Sequence, residues 1–243
     1  MLVNIADVTF EINAKHKFTE NLCADYVCSR AVPEFYIEVT PSEIEAERIK
    51  TQGENFSDGY LESIAVFRKI CEDILKYKQG ILFHSSAVEV DGKAYLFTAP
   101  SGTGKSTHAR LLKNFLKDRM SYINDDKPII RVIDGECFVY GTPWNGKHRL
   151  GSNVKVKLQA ICEIRRDKEN RIEKISSAEM LGVIFRQTVI PEELQSMDEF
   201  IKILNDIIKQ AELFRLYCNT DPKAAETSYY GMIKGGKRCQ RRT

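Results

Sequence analysis

The stretch from residue 84 to residue 107 limits what this chain can fold into more than any other part of the sequence. Tyr95, Leu96 and Phe97 form a short apolar run typical of a buried strand, and a Gly-rich segment follows at residues 99–104. Apolar residues then recur at helical spacing: Ala109, Leu111, Leu112, Phe115 and Leu116. A strand, a Gly-rich loop and a helix in this order are the context that a phosphate-binding loop requires. The segment therefore predicts nucleotide binding.

The loop fits the Walker A pattern G-x-x-x-x-G-K-[ST] except that Ala99 replaces the first glycine. Glycines let the backbone curl so that its N–H groups face phosphate oxygens, and the helix that follows adds its positive end. Lys105 is expected to hold the outer phosphates and Ser106 to ligate Mg²⁺. We therefore predict that the loop binds a nucleotide together with Mg²⁺. The residues expected to bind this nucleotide, which the resemblance given below implies to be ATP, are Ser101, Gly102, Thr103, Gly104, Lys105, Ser106 and Thr107. The alternative is a Gly-rich turn before an ordinary helix.

Two Asp-Gly pairs indicate that the sheet is mixed. Asp91-Gly92 separates the strand-like residues 88–90 and 94–96, and Asp134-Gly135 separates residues 129–133 and 137–140. Asp-Gly between alternating segments is a strong hairpin signal. The strand that leads into the loop is therefore expected to have an antiparallel neighbour, which differs from the common all-parallel nucleotide-binding folds.

Two further segments supply candidate catalytic groups. The apolar residues 120–123 precede Asp125 and Asp126, and this strand is expected beside the strand that leads into the loop. Adjacent carboxylates there suit the base and metal roles of a phosphoryl-transfer site, although an Asx-rich turn before Pro128 is the alternative. His84 follows a short strand at residues 81–83, where a histidine is either functional or simply a satisfied polar residue.

These residues resemble the catalytic domain of HPr kinase/phosphorylase, which belongs to the phosphoenolpyruvate carboxykinase-like P-loop folds. The resemblance covers roughly residues 80–220 and rests on His84, the loop ending at Thr107, and the pair Asp125-Asp126. It implies an ATP-dependent kinase with Lys105, His84 and Asp125 as catalytic residues. It further implies that Asp125 is the base facing the acceptor, that Asp126 and Ser106 lie on the magnesium side, and that the protein forms a homo-oligomer. The family's reverse reaction, as a phosphorylase or hydrolase, is an alternative activity.

Residues 141–153 depart from that family. Residues 141–147 stand where the family has its phosphocarrier-docking signature. The whole segment contains Trp144, the only Trp of the chain, together with Lys147 and Arg149. Such a segment either closes over phosphates and the acceptor or is a structural loop in which Trp144 is a packing residue. Because the docking signature is absent, the sequence does not identify the phosphoryl acceptor. A serine of a protein or peptide is favoured, and a small alcohol is the alternative.

Composition limits the remaining possibilities. The formal net charge of +2 over 243 residues gives no bulk field that would recruit nucleic acid. No apolar run reaches membrane-spanning length, and the N-terminus lacks a signal-peptide pattern. Seven scattered cysteines without a C-x-x-C pair indicate reduced thiols rather than a zinc site. We therefore expect a cytoplasmic enzyme that binds neither nucleic acid nor a membrane.

The predicted fold class is α/β, with a mixed β-sheet P-loop core of the HPr kinase/phosphoenolpyruvate carboxykinase type, flanking helices and a small β-rich N-terminal segment. The domains are expected at residues 1–60 for that segment, 61–232 for the kinase domain and 233–243 for a basic disordered tail. Strands are predicted within residues 3–12 and at 35–39, and residues 158–164 and 171–175 are expected to form a hairpin with a charged tip. A nucleotide-sensing module without turnover is the alternative to an enzyme.

Overall fold

The computed structural model describes residues 1–29, 32–191 and 193–233, which form two β-sheets with helices packed against them. The smaller sheet contains β1 (Leu2–Ile5), β2 (Val8–Asn13) and β3 (Phe35–Glu38). Its central strand β2 is antiparallel to β1 and parallel to β3. The strands predicted within residues 3–12 and at 35–39 are therefore confirmed.

Two helices in this first part of the chain did not appear in the sequence pattern. They are α1 (Lys17–Leu22) and α2 (Pro41–Lys50). The start of α2 is a capping box: the Glu43 N–H donates to the Thr40 hydroxyl over 3.3 Å, and the Thr40 N–H donates to the Glu43 carboxylate over 2.8 Å. Pro41 occupies the first helical turn, where its missing N–H costs nothing.

Within the described residues the larger sheet has nine strands, and it is mixed, as predicted. Its strands run in the order β4-β8-β9-β10-β6-β5-β7; β12 lies parallel to β10, and β11 lies antiparallel to β12. Their bounds are β4 (Gly80–Leu82), β5 (Ser86–Val90), β6 (Lys93–Thr98), β7 (Met120–Asn124), β8 (Ile129–Ile133), β9 (Glu136–Tyr140), β10 (Lys155–Arg166), β11 (Arg171–Lys174) and β12 (Glu212–Cys218).

The two Asp-Gly hairpins are confirmed. They join β5 to β6 and β8 to β9, with φ of 52° at Asp91, 77° at Gly92, 51° at Asp134 and 77° at Gly135. Positive φ at both central residues matches the twist of the flanking strands, which explains why Asp-Gly is a reliable signal.

Two predicted strand pairings are wrong. The strand that precedes the two aspartates, β7, pairs with β5 and not with β6, so β5 lies between it and the loop strand. The predicted hairpin of β10 and β11 does not form either, because β12 inserts between them and pairs with both. Neither error was avoidable from local sequence, since both pairings depend on segments far away in the chain.

Helices cover both faces of the larger sheet. One face carries α4 (Lys105–Leu116) and α7 (Lys223–Ser228), and the other carries α5 (Ser177–Phe185) and α6 (Leu194–Gln210). The strand residues alternate between the two faces: Phe97 and Cys162 lie in the core under α4, whereas Leu96 and Ile161 lie under α5 and α6.

Helix α3 (Asp58–Lys78) and the small sheet share a third core with strands of the large sheet. The Arg131 guanidinium reinforces this contact by donating to the carbonyls of Ala6 (2.5 Å) and Lys78 (2.9 Å). The Tyr140 hydroxyl adds a 2.7 Å hydrogen bond to Asp7. The division of the chain at residue 60 stays a prediction, and the predicted tail lies, apart from residue 233, outside the described residues.

A buried carboxylate joins α1 to α3. Glu62 is fully buried, and its oxygens accept the N–H groups of Lys15 (2.7 Å) and His16 (3.2 Å) and the hydroxyl of Thr19 (2.6 Å). These donors lie at the start of α1, whose N-cap residue His16 makes no side-chain cap of its own. Glu62 therefore supplies the missing cap from a neighbouring helix.

Glu62→Ala should lower the free energy of unfolding by about 1–3 kcal/mol, because three donors lose their acceptor in a buried place. The measurement is urea denaturation followed by circular dichroism. Glu72→Ala, at an exposed position of the same helix, is the matched control and should change stability little. Equal midpoints for the two variants would contradict the capping role of Glu62.

Candidate active site

One edge of the larger sheet collects the predicted site residues. β6 and β10 run parallel with Thr98 opposite Glu163, so both strands end at this edge. β5 is antiparallel to β6 and to β7, so β5 begins there and β7 ends there. The Gly-rich loop (residues 99–104), His84 and the pair Asp125-Asp126 consequently share one side of the molecule.

The Gly-rich loop has a backbone that only glycine accepts readily. Gly102 has φ of 74° and Gly104 has φ of 126°, while a Cβ atom at either position would meet nothing within 4 Å. Glycine is therefore favoured at these two positions because of the positive φ angle and not because a side chain would clash. Gly104 directly precedes the first residue of α4, so the loop leads into a helix N-terminus.

Arg166, at the end of β10, holds this loop from one side. Its guanidinium donates to the carbonyl of Thr103 over 3.1 Å and also to the carbonyl of Gly102. Because the C=O and N–H of a trans peptide point in opposite directions, the Gly104 N–H is directed away from Arg166. The carbonyls of Gly102 and Thr103 thus face Arg166, and the Gly104 N–H faces the opposite side of the loop.

Lys105 is a buried cation with little to neutralise it. Its side chain is only 7 % exposed, and within the described residues its Nζ atom donates a single hydrogen bond, of 3.0 Å, to the carbonyl of Ala99. Burial lowers the pKa of Lys105, and the negative charge of nearby Asp126 opposes that shift. An anion in the loop would complete the coordination of this ammonium group.

The two adjacent aspartates lie in the bend that follows β7, and they face different partners. Asp125 is 3 % exposed, and its Oδ1 accepts the Gly146 N–H over 2.5 Å. Burial, together with the charge of Asp126, raises the pKa of Asp125. A buried carboxylate with a raised pKa is suited to accept a proton.

Asp126 faces the loop side. Its Oδ1 lies 3.0 Å from Nε2 of His84, and its Oδ2 contacts the ammonium of Lys127. Burial acts to raise the pKa of Asp126, but hydrogen bonds and charge from His84 and Lys127 outweigh it and lower the pKa to about 2. Asp126 is therefore a carboxylate that stays ionised.

His84 is fixed through its backbone as well as its ring. Its N–H donates to the carbonyl of Gln187 over 2.7 Å, and its carbonyl accepts the hydroxyl of Thr98 over 3.0 Å. The structure thus joins His84 to Asp126 directly and directs Asp125 toward residues 141–153. Ser106 and Thr107 lie in the first turn of α4, where the Ser106 side chain is exposed.

Asn124, Gly146 and Arg166 shape the site and were missed as functional positions. The buried Asn124 amide accepts the N–H groups of Asp126 (2.9 Å) and Lys127 (2.7 Å) and donates to Thr142. The Asx-rich turn that was the alternative is therefore present, and the base and metal roles of the two carboxylates stay predictions. Asn124 was visible as an Asx-turn signal, whereas Arg166 and Gly146 are brought in by long-range pairing.

Trp144 is a packing residue, which supports the second alternative for residues 141–153. Its ring stacks on Phe67 of α3 with centroids 4.3 Å apart, and its Nε1 donates to the carbonyl of Ser63 over 3.0 Å. Lys147, His148 and Arg149 of the same segment are exposed. The tip of the segment therefore faces solvent although its beginning is anchored.

The donor set fits magnesium only together with phosphates. No group of three or more His, Cys, Asp or Glu side chains placed to hold a metal ion occurs within the described ranges. The Ser106 hydroxyl and the Asp126 carboxylate are oxygen ligands of the kind that Mg²⁺ accepts, and Mg²⁺ is commonly held by one or two such groups plus substrate phosphates. Such a site is completed by a nucleotide and not by the protein alone.

Comparisons with known proteins give little beyond this geometry. No protein-family model matches the sequence, and no curated protein matches it. Among solved structures, the HPr(Ser) kinase/phosphatase from Coxiella burnetii matches at 9 % identity and a TM-score of 0.34, covering 63 % of this chain and 97 % of that chain. Because the TM-score is low, the match indicates a remote structural relation and no more. In the part of the chain that the structure describes, no helix is both long and apolar enough to cross a membrane.

The opposite pKa shifts predict opposite effects on stability. The pKa of Asp126 is lowered from 3.8 to about 2, so its ionised form stabilises the fold above pH 3.8, and this contribution is lost as the pH falls toward 2. Asp126→Asn should therefore lower the free energy of unfolding at pH 7 by on the order of 2 kcal/mol. The pKa of Asp125 is raised, so its ionised form costs stability at pH 7, and Asp125→Asn should stabilise the protein.

Thermal denaturation of both variants at pH 7 and pH 4 measures these effects. The stabilisation by Asp125→Asn should shrink at the lower pH, where the native carboxyl is increasingly protonated. Two variants that shift the melting temperature in the same direction at pH 7 would refute the assigned electrostatics.

Proposed function

We propose that this protein is an ATP- and Mg²⁺-dependent kinase that transfers a phosphoryl group to a hydroxyl acceptor, with a serine of a protein or peptide as the favoured acceptor. The observation that carries the proposal is the placement of a buried, under-neutralised Lys105 at a Gly-rich loop and helix N-terminus on the same sheet edge as Asp125 and the His84–Asp126 pair. Phosphate-binding and proton-accepting groups on one edge are the parts that phosphoryl transfer requires.

In the proposed reaction, the acceptor oxygen attacks the terminal phosphorus of ATP while the bond from that phosphorus to the bridging oxygen breaks. ADP leaves, and the acceptor proton passes to the carboxylate of Asp125, whose raised pKa favours that transfer. The loop N–H groups and Lys105 hold the phosphates in line with the acceptor. Positioning and charge stabilisation supply most of the catalysis in this class of reaction.

His84 and Asp126 have a supporting role in this proposal. Nε2 of His84 lies 3.0 Å from Oδ1 of Asp126, and the ammonium group of Lys127 contacts Oδ2. Ser106 and Asp126 would hold Mg²⁺, which would supply neutralisation of the phosphate charge. Because transfer in either direction uses the same groups, the reverse reaction is open to the same site.

The direct test is transfer of label from [γ-³²P]ATP to an acceptor in extracts of the source cells. Purified wild-type protein should label a macromolecular or small-molecule fraction, and Lys105→Ala should neither bind Mg-ATP in calorimetry nor transfer label. Removal of Mg²⁺ with a chelator should abolish transfer as well. Slow ATP hydrolysis without any labelled acceptor would favour the hydrolase alternative, and binding without turnover would favour a sensor.

Separate kinetics of the two aspartate variants test their proposed division of labour. Asp125→Asn should lower turnover by about 10²–10⁴-fold while Mg-ATP affinity changes little, because a general base acts only as the acceptor loses its proton. Asp126→Asn should instead raise the Mg²⁺ concentration required for both ATP binding and transfer. A raised Mg²⁺ requirement in Asp125→Asn alone would reverse the assignment, and full activity in both variants would exclude the mechanism.

A further inference from the structure

The middle of the segment between β9 and β10 forms a turn that is fixed against Asp125. We call residues 146–149 the basic tip. The Arg149 N–H donates to the carbonyl of Gly146 over 2.9 Å, and the Gly146 N–H donates to Oδ1 of Asp125 over 2.5 Å. A Cβ atom at Gly146 would lie 3.0 Å from Oδ2 of Asp125, so the backbone of the tip lies directly on that carboxylate. The position of the basic tip relative to Asp125 is therefore set by its own hydrogen bonds.

The positive charge of the basic tip is not balanced locally. Lys147, His148 and Arg149 are exposed, and residues 141–153 contain neither Asp nor Glu. Lys127 and Lys155, which flank this segment in the fold, each contact an aspartate. Within the part of the chain that the structure describes, Lys147 and Arg149 form no ion pair. Two exposed cations thus lie beside Asp125 with their charge available to a partner.

A further exposed cation lies near Asp125 on helix α4. Arg110 is one turn beyond Ser106, so the two side chains share the exposed face of that helix. Burial raises the pKa of Tyr122 on β7, the charge of Arg110 lowers it, and the charge of Asp125 raises it, so Tyr122 lies close to both groups. Cations from two separate elements therefore lie near the carboxylate that is proposed to accept the proton of the acceptor.

The basic tip lies on the acceptor side of the proposed site and not on the phosphate side. Burial lowers the pKa of Lys105, and the charges that act on it come from Asp126 and Lys127. Burial raises the pKa of Asp125, whereas the charge of His148 acts to lower it, which indicates that the tip is close to Asp125. The tip therefore belongs with the base, and Asp126 belongs with the Gly-rich loop.

We propose that the basic tip and Arg110 bind acidic side chains of the acceptor, so that the protein phosphorylates a serine flanked by Asp or Glu in a peptide or protein segment. This inference rests on the proposed function, because it takes Asp125 as the base. Carboxylates form charge-assisted hydrogen bonds with Arg and Lys, and a segment rich in Lys or Arg would be repelled. An extended segment advances about 3.3 Å per residue, so the recognised carboxylates are expected within about four residues of the serine.

The test uses synthetic peptides with one central serine, in which one flanking position at a time is fixed as Asp, Glu, Ala, Lys or Arg. Wild-type protein with Mg²⁺ and [γ-³²P]ATP should label peptides with Asp or Glu at least about 10-fold more than peptides with Lys or Arg at the same position. The KM for the best acidic peptide should rise as KCl is added, because salt screens exposed charges.

Charge reversal assigns the preference to the basic tip. Lys147→Glu/Arg149→Glu should raise the KM for the best acidic peptide at least about 10-fold and lower the KM for its lysine-substituted counterpart, while the affinity for Mg-ATP in calorimetry stays unchanged. Lys147→Glu alone should shift both values in the same directions, and it leaves the positive φ of 51° at Arg149 untouched. Lys202→Glu/Lys209→Glu, at exposed positions of α6, changes the net charge equally and is the matched control.

The outcomes separate this inference from the proposed function. Peptides labelled without regard to flanking charge, or labelled best with Lys or Arg, would overturn the inference and leave a kinase. Mg-ATP binding without any labelled peptide would also overturn it and would favour a small alcohol as acceptor. If charge reversal weakens Mg-ATP binding as much as peptide binding, the tip acts on the phosphates of ATP and the inference is wrong. If wild-type protein does not bind Mg-ATP, both proposals fail. A preference that reverses in the tip variant and not in the α6 variant supports the inference.

Discussion

The site depends on the side chain of Asn124. This buried amide accepts the N–H groups of two successive residues and donates to both oxygens of Thr142, so it fixes the turn after β7 and the start of the next long loop together. The turn decides that Asp125 points toward Gly146 and that Asp126 points toward His84. The different surroundings of the two adjacent carboxylates drive their pKa values in opposite directions.

Burial and hydrogen bonding then give the two carboxyl groups different chemistry. Burial and the charge of Asp126 favour the protonated form of Asp125, and the hydrogen bond from the Gly146 N–H only partly opposes them. Asp126 faces an imidazole and an ammonium group, which favour its ionised form. Titratable neighbours whose environments push their pKa values apart are the arrangement from which acid–base roles are assigned. Lys105 belongs to the same electrostatic unit because Asp126 acts on its charge.

Local sequence signals predicted much of the larger sheet, and long-range pairing accounts for what they missed. Asp91-Gly92 and Asp134-Gly135 specify hairpins through their own backbone preferences, so those strands were found. The pairing of β11 with β12 depends on a segment that follows two helices later, which no local pattern reports. Helix α2 is a different case, because its start could have been predicted. Thr40 and Glu43 form a capping box and Pro41 follows the cap, but the segment was described only by its charged residues. For the candidate site, the sequence indicated residues that lie at one edge of the sheet. It did not indicate the contacts of Arg166 and Gly146, because those contacts come from strand register and loop path.

Residues 141–153 are held by contacts near both ends and are exposed in the middle. Trp144 is held by Phe67 and Ser63, and beyond the tip Gly151 pairs with Asn124 in an isolated bridge. Between these points Lys147, His148 and Arg149 project into solvent. Substitutions at these three positions would alter the charge beside Asp125 without removing a core contact. The packed ends and the exposed tip of this loop can therefore change separately, and substitutions at the tip leave the edge of the sheet that carries Asp125 intact.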